Sequence, residues 1–388
     1  MKSHPLFEKP RIFAPGPTPV PEAVLSTLAR SPLHHRTVEF AATLQRVWKN
    51  LSFLCQTKQR SYVLAASGTG AMEATVTNTL SPGDEVLVLN AGKFGERWTK
   101  ICQTYGLRVH ELKIPWGEAI DPAAVGQALG AHAKTRAVLF QASETSTGVL
   151  HPVREIARAV REKSEALVLV DAITALGVSD LQMDAWGLDA LISGSQKALM
   201  LPPGLSTLAL SERAQAARKR SAFPAFYFDL DAEDAAFASG QTAWTPAVGL
   251  ITGLDVVLER FAEVGLAPVF RHHERLAEST RQGIRALGLE LLAKAAPSPA
   301  VTAVLLPKDH EIGDKLISHL RDRYGITLAE GQDHYKGRMF RIAHLGYFDE
   351  LDMLTILSAL EMSMHKLNVP VELGAGVAAA SRYFVETI

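Results

Sequence analysis

An acid and a lysine frame one stretch of this 388-residue chain. Asp171 closes the apolar run Leu167 to Val170, and Lys197 follows a second run, Asp189 to Ile192, through Ser193-Gly194-Ser195-Gln196. The separation is 197 − 171 = 26 residues. Short Val/Leu/Ile runs bounded by polar or glycine residues read as buried strands of a parallel sheet. Both residues would then sit at the carboxyl ends of strands, where open α/β sheets bind ligands. Pyridoxal phosphate chemistry needs such a pair. The lysine amine condenses with the aldehyde, and the acid keeps the pyridinium nitrogen protonated so that the ring withdraws electrons. Taken singly, each residue also reads as an ordinary turn acid or a solvated loop lysine.

The elements that must position the pair alternate between strand and helix. Tyr62 to Ala66 reads as a strand, and Ser67-Gly68-Thr69-Gly70 turns into a helix. Such a turn aims backbone N–H groups and the helix dipole at an anion, although it is neither a Walker A loop nor GxGxxG. By itself it also reads as a plain helix N-cap. Glu85 to Leu89 is the next strand, and Phe94 follows its exit, where it could stack on a planar ring or pack in the core. Strands at 107–112 and 136–141 follow, the second leaving through Ala142 to Gly148. This pattern from about 60 to 210 predicts a doubly wound α/β layer structure. Ser221 to Trp244 is aromatic-rich and irregular, as a core-packed loop or a subunit interface would be. Long helices are expected at 247–264 and 271–287. Strand-like runs at 301–306 and 337–343, with a helix at 311–323 between them and a last helix at 349–366, predict a smaller α+β unit. The alanine-rich end, 372–388, shows little pattern. The expected division is an N-terminal arm at 1–15, a large α/β domain at 16–259 and a small α+β domain at 260–388.

Composition narrows the partners. With 40 basic against 41 acidic residues, nothing points to nucleic acid or a membrane surface. The two cysteines, Cys55 and Cys102, form no metal or CxxC pattern, so no metal site is expected and a reducing, cytoplasmic setting fits. The first residues carry no apolar h-region and no long apolar run appears, so neither a signal peptide nor a membrane span is expected.

With these residues laid out, the chain resembles the class V aminotransferases of fold type I, and within them the alanine–glyoxylate and serine–pyruvate group. The motifs are PGPTPVP at 15–21, SGTGAMEA at 67–74, GKFGERW at 92–98, ETSTGV at 144–149, VDAIT at 170–174, SGSQKAL at 193–199 with PPG at 202–204, TPAV at 245–248 and RIAHLG at 341–346. The resemblance implies a mostly parallel sheet sandwiched by helices, with a smaller C-terminal α+β domain. It implies Lys197 as the lysine that carries pyridoxal phosphate and moves protons, and Asp171 as the partner of the pyridine nitrogen. Ser67, Gly68, Thr69 and Gln196 would surround the phosphate. Phe94 would stack on the ring, and Thr145 would reach the ring hydroxyl. Thr242 and Thr245 would reach the phosphate in the neighbouring subunit of a homodimer. Arg341 would clamp the substrate carboxylate, which suits its bidentate fork. The chain has phenylalanine at position 94 where the best-known animal enzymes have tryptophan. It has threonine at positions 69 and 242 where they have histidine and tyrosine.

The resemblance therefore implies a ping-pong transaminase that moves an amino group from a small amino acid, alanine or serine, to a small 2-oxo acid, glyoxylate or pyruvate. Two rivals share the fold. A lyase or desulfurase would need a mobile nucleophilic cysteine, and both cysteines fall in predicted helices. The other is a subunit of a hydrogenase-type complex, after relatives known as a small subunit of soluble hydrogenase. Two cysteines cannot hold an iron–sulfur cluster, so that role would need a partner.

Overall fold

The computed structural model describes residues 9–307 and 310–387. Part of the expected arm, residues 1–8, lies outside the described residues.

The apolar runs become the strands that their composition predicts. The main sheet contains β1 (Ser61–Leu64), β2 (Glu85–Asn90), β3 (Arg108–Lys113), β4 (Thr135–Gln141), β5 (Leu167–Asp171), β6 (Ala190–Gly194) and β7 (Ser206–Leu210). Their spatial order is β1-β7-β6-β5-β4-β2-β3. Strands β2 to β6 run parallel, whereas β7 is antiparallel to both β6 and β1. Strands β5 and β6 are buried at every position because helices cover both faces. Each fully buried Val, Leu or Ile contributes about 1.5–3 kcal/mol, so a continuous aliphatic run outweighs any amphipathic alternative here.

Register then places the chemistry. Asp171 is the last residue of β5 and lies opposite Gln141 on one side and Ile192 on the other. Lys197 lies three residues beyond the end of β6. Helix α1 (Gly68–Thr79) follows β1, and helix α2 (Lys93–Thr104) follows β2. The parallel strands thus deliver their exits to one edge of the sheet.

A second, four-stranded antiparallel sheet holds β8 (Glu290–Leu291), β9 (Val301–Leu305), β10 (Ala329–Glu330) and β11 (Met339–Ala343), in the order β8-β9-β11-β10. It has its own apolar core, which includes Phe13, Phe340, Ile342 and Leu357. The helix Val248–Val264 runs through residue 260 without a break, and Gly265 separates it from helix α3 (Leu266–Ala286). Several elements were not expected from sequence, among them the short helices Met183–Trp186 and Glu212–Arg218. Leu230–Phe237 is helical inside the aromatic segment, and helix α4 (Ala375–Glu386) occupies the alanine-rich end. Among the described residues, no helix is long and apolar enough to cross a membrane.

Candidate active site

The exits of β1, β2, β4, β5 and β6 enclose a cavity of about 110 Å³. Its lining includes Ser67, Gly68, Thr69, Phe94, Thr145, Asp171, Gln196 and Lys197. Eight of the residues singled out from sequence therefore meet around one space. Ser143, Arg97, Ile173 and Thr174 line it too, and sequence reasoning did not single them out. Arg97 sits one turn after Phe94 in GKFGERW, and that spacing was the available signal.

Asp171 is buried, and one carboxylate oxygen accepts the Ile173 N–H at 2.8 Å. Burial pushes its carboxyl up to about 6, while that N–H and the charges of Arg97 and Lys197 pull it down. Lys197 moves the other way. Burial, helped by the charge of Arg341, lowers its amine to about 8, against the pull of Asp171. The amine donates to the Pro15 carbonyl. Thr18 completes the strap over the lysine loop, with its N–H on the Gln196 carbonyl at 3.2 Å and its hydroxyl on the Lys197 carbonyl at 2.9 Å.

Opposite, α1 begins at Gly68 after an extended Ser67, whose hydroxyl makes no capping bond. The first N–H groups of a helix have no intrahelical acceptor and favour an anion. The side-chain oxygen of Gln196 is buried without a hydrogen-bond partner. Gly68 has no room for a side chain, since a Cβ there would lie 2.3 Å from Ile173 Cδ1. Phe94 is half-buried, with the Arg97 guanidinium 4.7 Å from its ring centroid. Arg97 also donates to the Thr69 hydroxyl at 3.1 Å. Thr145 and Thr174 share a 2.6 Å hydroxyl–hydroxyl bond. A helix start with free donors, an orphaned amide oxygen, a buried carboxylate, an aromatic face and a depressed lysine amine together fit pyridoxal phosphate.

Arg341 lies in the middle of β11, paired with Ala303 and Ala329. Its guanidinium is buried and donates to two carbonyls, Thr145 at 3.1 Å and Glu330 at 2.8 Å. Its Nε has no partner. Burial lowers it to about 10, partly offset by the charge of Glu144. Among the described residues, no carboxylate forms an ion pair with it.

Thr242 and Thr245 are not brought to this cavity. They lie with Tyr227, Glu233 and Trp244 beside β1, and Thr245 is exposed. The two cysteines are buried and free, and burial pushes each thiol up to about 12. Neither is a nucleophile at neutral pH.

The comparisons with known proteins agree with this geometry. The family model for "Aminotransferase class-V" matches residues 13–345. A protein of Synechococcus sp. (strain PCC 6716) named soluble hydrogenase, small subunit, is 42% identical over 379 residues, covering 97% of this chain and 98% of that one. The L-aspartate–glyoxylate aminotransferase of Paracoccus denitrificans is 35% identical over 382 residues, covering 97% and 96%. The crystal structure of ureidoglycine–glyoxylate aminotransferase from Bacillus subtilis superposes with a TM-score of 0.93 at 28% identity, covering 98% of this chain and all of that one. The chain belongs to the class-V aminotransferase family, whose fold and pyridoxal phosphate cofactor it shares.

Proposed function

We propose that this aminotransferase moves an amino group from a small amino acid, alanine or serine, to a small 2-oxo acid, with glyoxylate or pyruvate as acceptor. The observation that carries this reading is Arg341, a buried guanidinium with an unpartnered Nε and, among the described residues, no carboxylate of its own. Amino donors and 2-oxo acceptors share one feature, a carboxylate on the reacting carbon. A bidentate guanidinium fixes its position and rotation. Glyoxylate as acceptor draws support from the names of the Paracoccus and Bacillus proteins.

When bound, pyridoxal phosphate supplies the aldehyde that takes up the amino group and the ring that draws electrons from the α-carbon. The chain supplies the rest. Lys197 would hold the cofactor and, once released, move a proton at its Nζ, a task suited to an amine lowered to about 8. Asp171 would hold the proton on the ring nitrogen. Ser67, Gly68, Thr69 and Gln196 would surround the phosphate, Phe94 would cover one ring face, and Thr145 would face the ring hydroxyl.

We further propose a homodimer in which Thr242 and Thr245 complete the partner's phosphate site, which fits their distance from the cavity of their own chain. We place the protein in the cytoplasm, in keeping with its two free cysteines. The large and small units, expected at 16–259 and 260–388, would divide best at Gly265, where the long helix ends.

A second reading follows from the hydrogenase name of the Synechococcus relative. Here the chain would serve a larger complex, and a redox partner would have to bring the metal cluster, since two cysteines are too few to ligate one. A screen of amino donors against 2-oxo acceptors on the purified protein separates the readings. Turnover of alanine or serine with glyoxylate or pyruvate is expected. No turnover with any pair, or a preference for aspartate, would overturn the assignment.

A further inference from the structure

Among the described residues, Glu144 is the one fully buried acid near the cavity that the chemistry above does not use. It opens the motif ETSTGV, in the two-residue strand Ser143–Glu144 that leaves the main sheet after β4. No cation forms an ion pair with it among the described residues. Its carboxylate is held instead by N–H and O–H donors. Phe94 and Gly95 each donate an N–H at 3.2 Å, and Ser146 donates its N–H at 3.1 Å and its hydroxyl at 2.5 Å. The Ser146 oxygen accepts the Lys93 N–H at 3.0 Å. Glu144 and Ser146 together therefore satisfy the first three donors of α2. A second observation shows that the space is kept for this contact. A Cβ on Gly92 would lie 2.6 Å from the Glu144 carboxylate carbon and 2.5 Å from the Ser146 oxygen.

The geometry points to Glu144 as a positioning residue. By clamping the start of α2, its ionised carboxylate sets the plane in which Phe94 meets the cofactor. The next residue carries the same loop to the clamp, since the Thr145 carbonyl accepts from Arg341. The inference rests on the cofactor lying against Phe94, not on which amino acid is the donor.

Ionisation matters because a protonated carboxyl offers a donor where three N–H groups need acceptors. Burial pushes Glu144 up to about 7, the hydroxyl and N–H of Ser146 and the N–H of Gly95 pull it down, and Asp171 pushes it up again. Arg341 faces it from β11, and Lys93 and Glu96 lie on α2 itself. Its charge is therefore lost as pH falls through about 7. Asp171 titrates lower, at about 6.

The test is cofactor affinity and visible circular dichroism of bound pyridoxal phosphate between pH 5.5 and 8.5. In the wild type, affinity should fall below pH 7. Glu144→Gln should bind roughly tenfold or more weakly at pH 8, as expected for loss of a buried charge-assisted acceptor. It should also lose the limb near pH 7, leaving the limb of Lys197 at about 8, whose protonated amine cannot condense with the aldehyde, and the lower limbs of Asp171 and the cofactor phosphate. Its dichroism per bound cofactor should drop, because the ring is no longer held in one plane. Ser146→Ala removes one donor, so Glu144 becomes harder to ionise and the limb should move to higher pH. Wild-type affinity, dichroism and limb in Glu144→Gln would overturn the proposal. So would a lowered melting temperature with those three unchanged. If Glu144→Gln does not fold, an unmoved limb in Ser146→Ala would overturn it alone.

Discussion

Burial works on Asp171 and Lys197 in opposite senses, raising the carboxyl to about 6 and lowering the amine to about 8. Both charged forms are therefore costly in the cofactor-free protein, and each is available for a ligand. For an acid whose folded value lies above its ordinary 3.8, the stabilising contribution is complete below 3.8 and is lost as pH rises through about 6. Asp171→Asn lacks that loss. In cofactor-free protein at pH 8 it should be more stable by on the order of 2–3 kcal/mol, shrinking to nothing below pH 4. The same variant should bind the cofactor more weakly and lose turnover by several orders of magnitude. Denaturant melts at both pH values check the first statement, and a destabilised variant at pH 8 would contradict it. Arg341→Lys keeps the charge and loses the fork. It should raise KM for both donor and acceptor, at roughly 1.5–3 kcal/mol or a tenfold to hundredfold fall in kcat/KM. A decarboxylated amine is the control, and an equal loss toward it would assign Arg341 to the fold.

Between residues and molecule stand the elements, and the strap from Phe13 to Thr18 joins two of them. Phe13 accepts the Ala343 N–H at the end of β11, and Thr18 bonds the Lys197 loop, so one short segment ties the strand of Arg341 to the lysine. Gly16 lies between. Its φ of +136° is strained for any side chain, and a Cβ would fall 2.6 Å from Lys197 Nζ. Overpacking there costs about 1–3 kcal/mol, so Gly16→Ala should fold yet lose roughly tenfold or more in kcat. Normal turnover in a folded variant would show that the strap is passive.

The elements also explain what the sequence could reveal. Asp171 and Lys197 were legible because each ends or follows an aliphatic run that only a buried strand satisfies. Glu144 was not, because nothing local signals that β4's exit loop lies against the start of α2, about 50 residues earlier in the chain. Helix α4 was invisible for another reason. Its buried stripe is Gly376, Ala380 and Phe384, two of them too small to contrast with the alanines around them. The close fit is the cause: a Cβ on Gly283 of α3 would approach the Gly376 carbonyl to 3.1 Å.

At the scale of the whole molecule, Thr242 and Thr245 do not line the cavity of their own chain, and the aromatic segment before them is open. Phe226 is 79% exposed and Tyr227 48%, with Trp244 packed against both. Exposed aromatic patches of this kind mark contact surfaces. Phe226→Asp should shift the proposed dimer toward monomer and lower activity in step. Sedimentation and turnover measured at the same concentrations check this, and a fully active monomer would contradict it.

Lys197 is the lysine proposed to hold the cofactor, and borohydride reduction of the holoenzyme followed by peptide mass spectrometry tests that most directly. One reduced pyridoxyl adduct, on Lys197, is the predicted result. An adduct on any other lysine would contradict it.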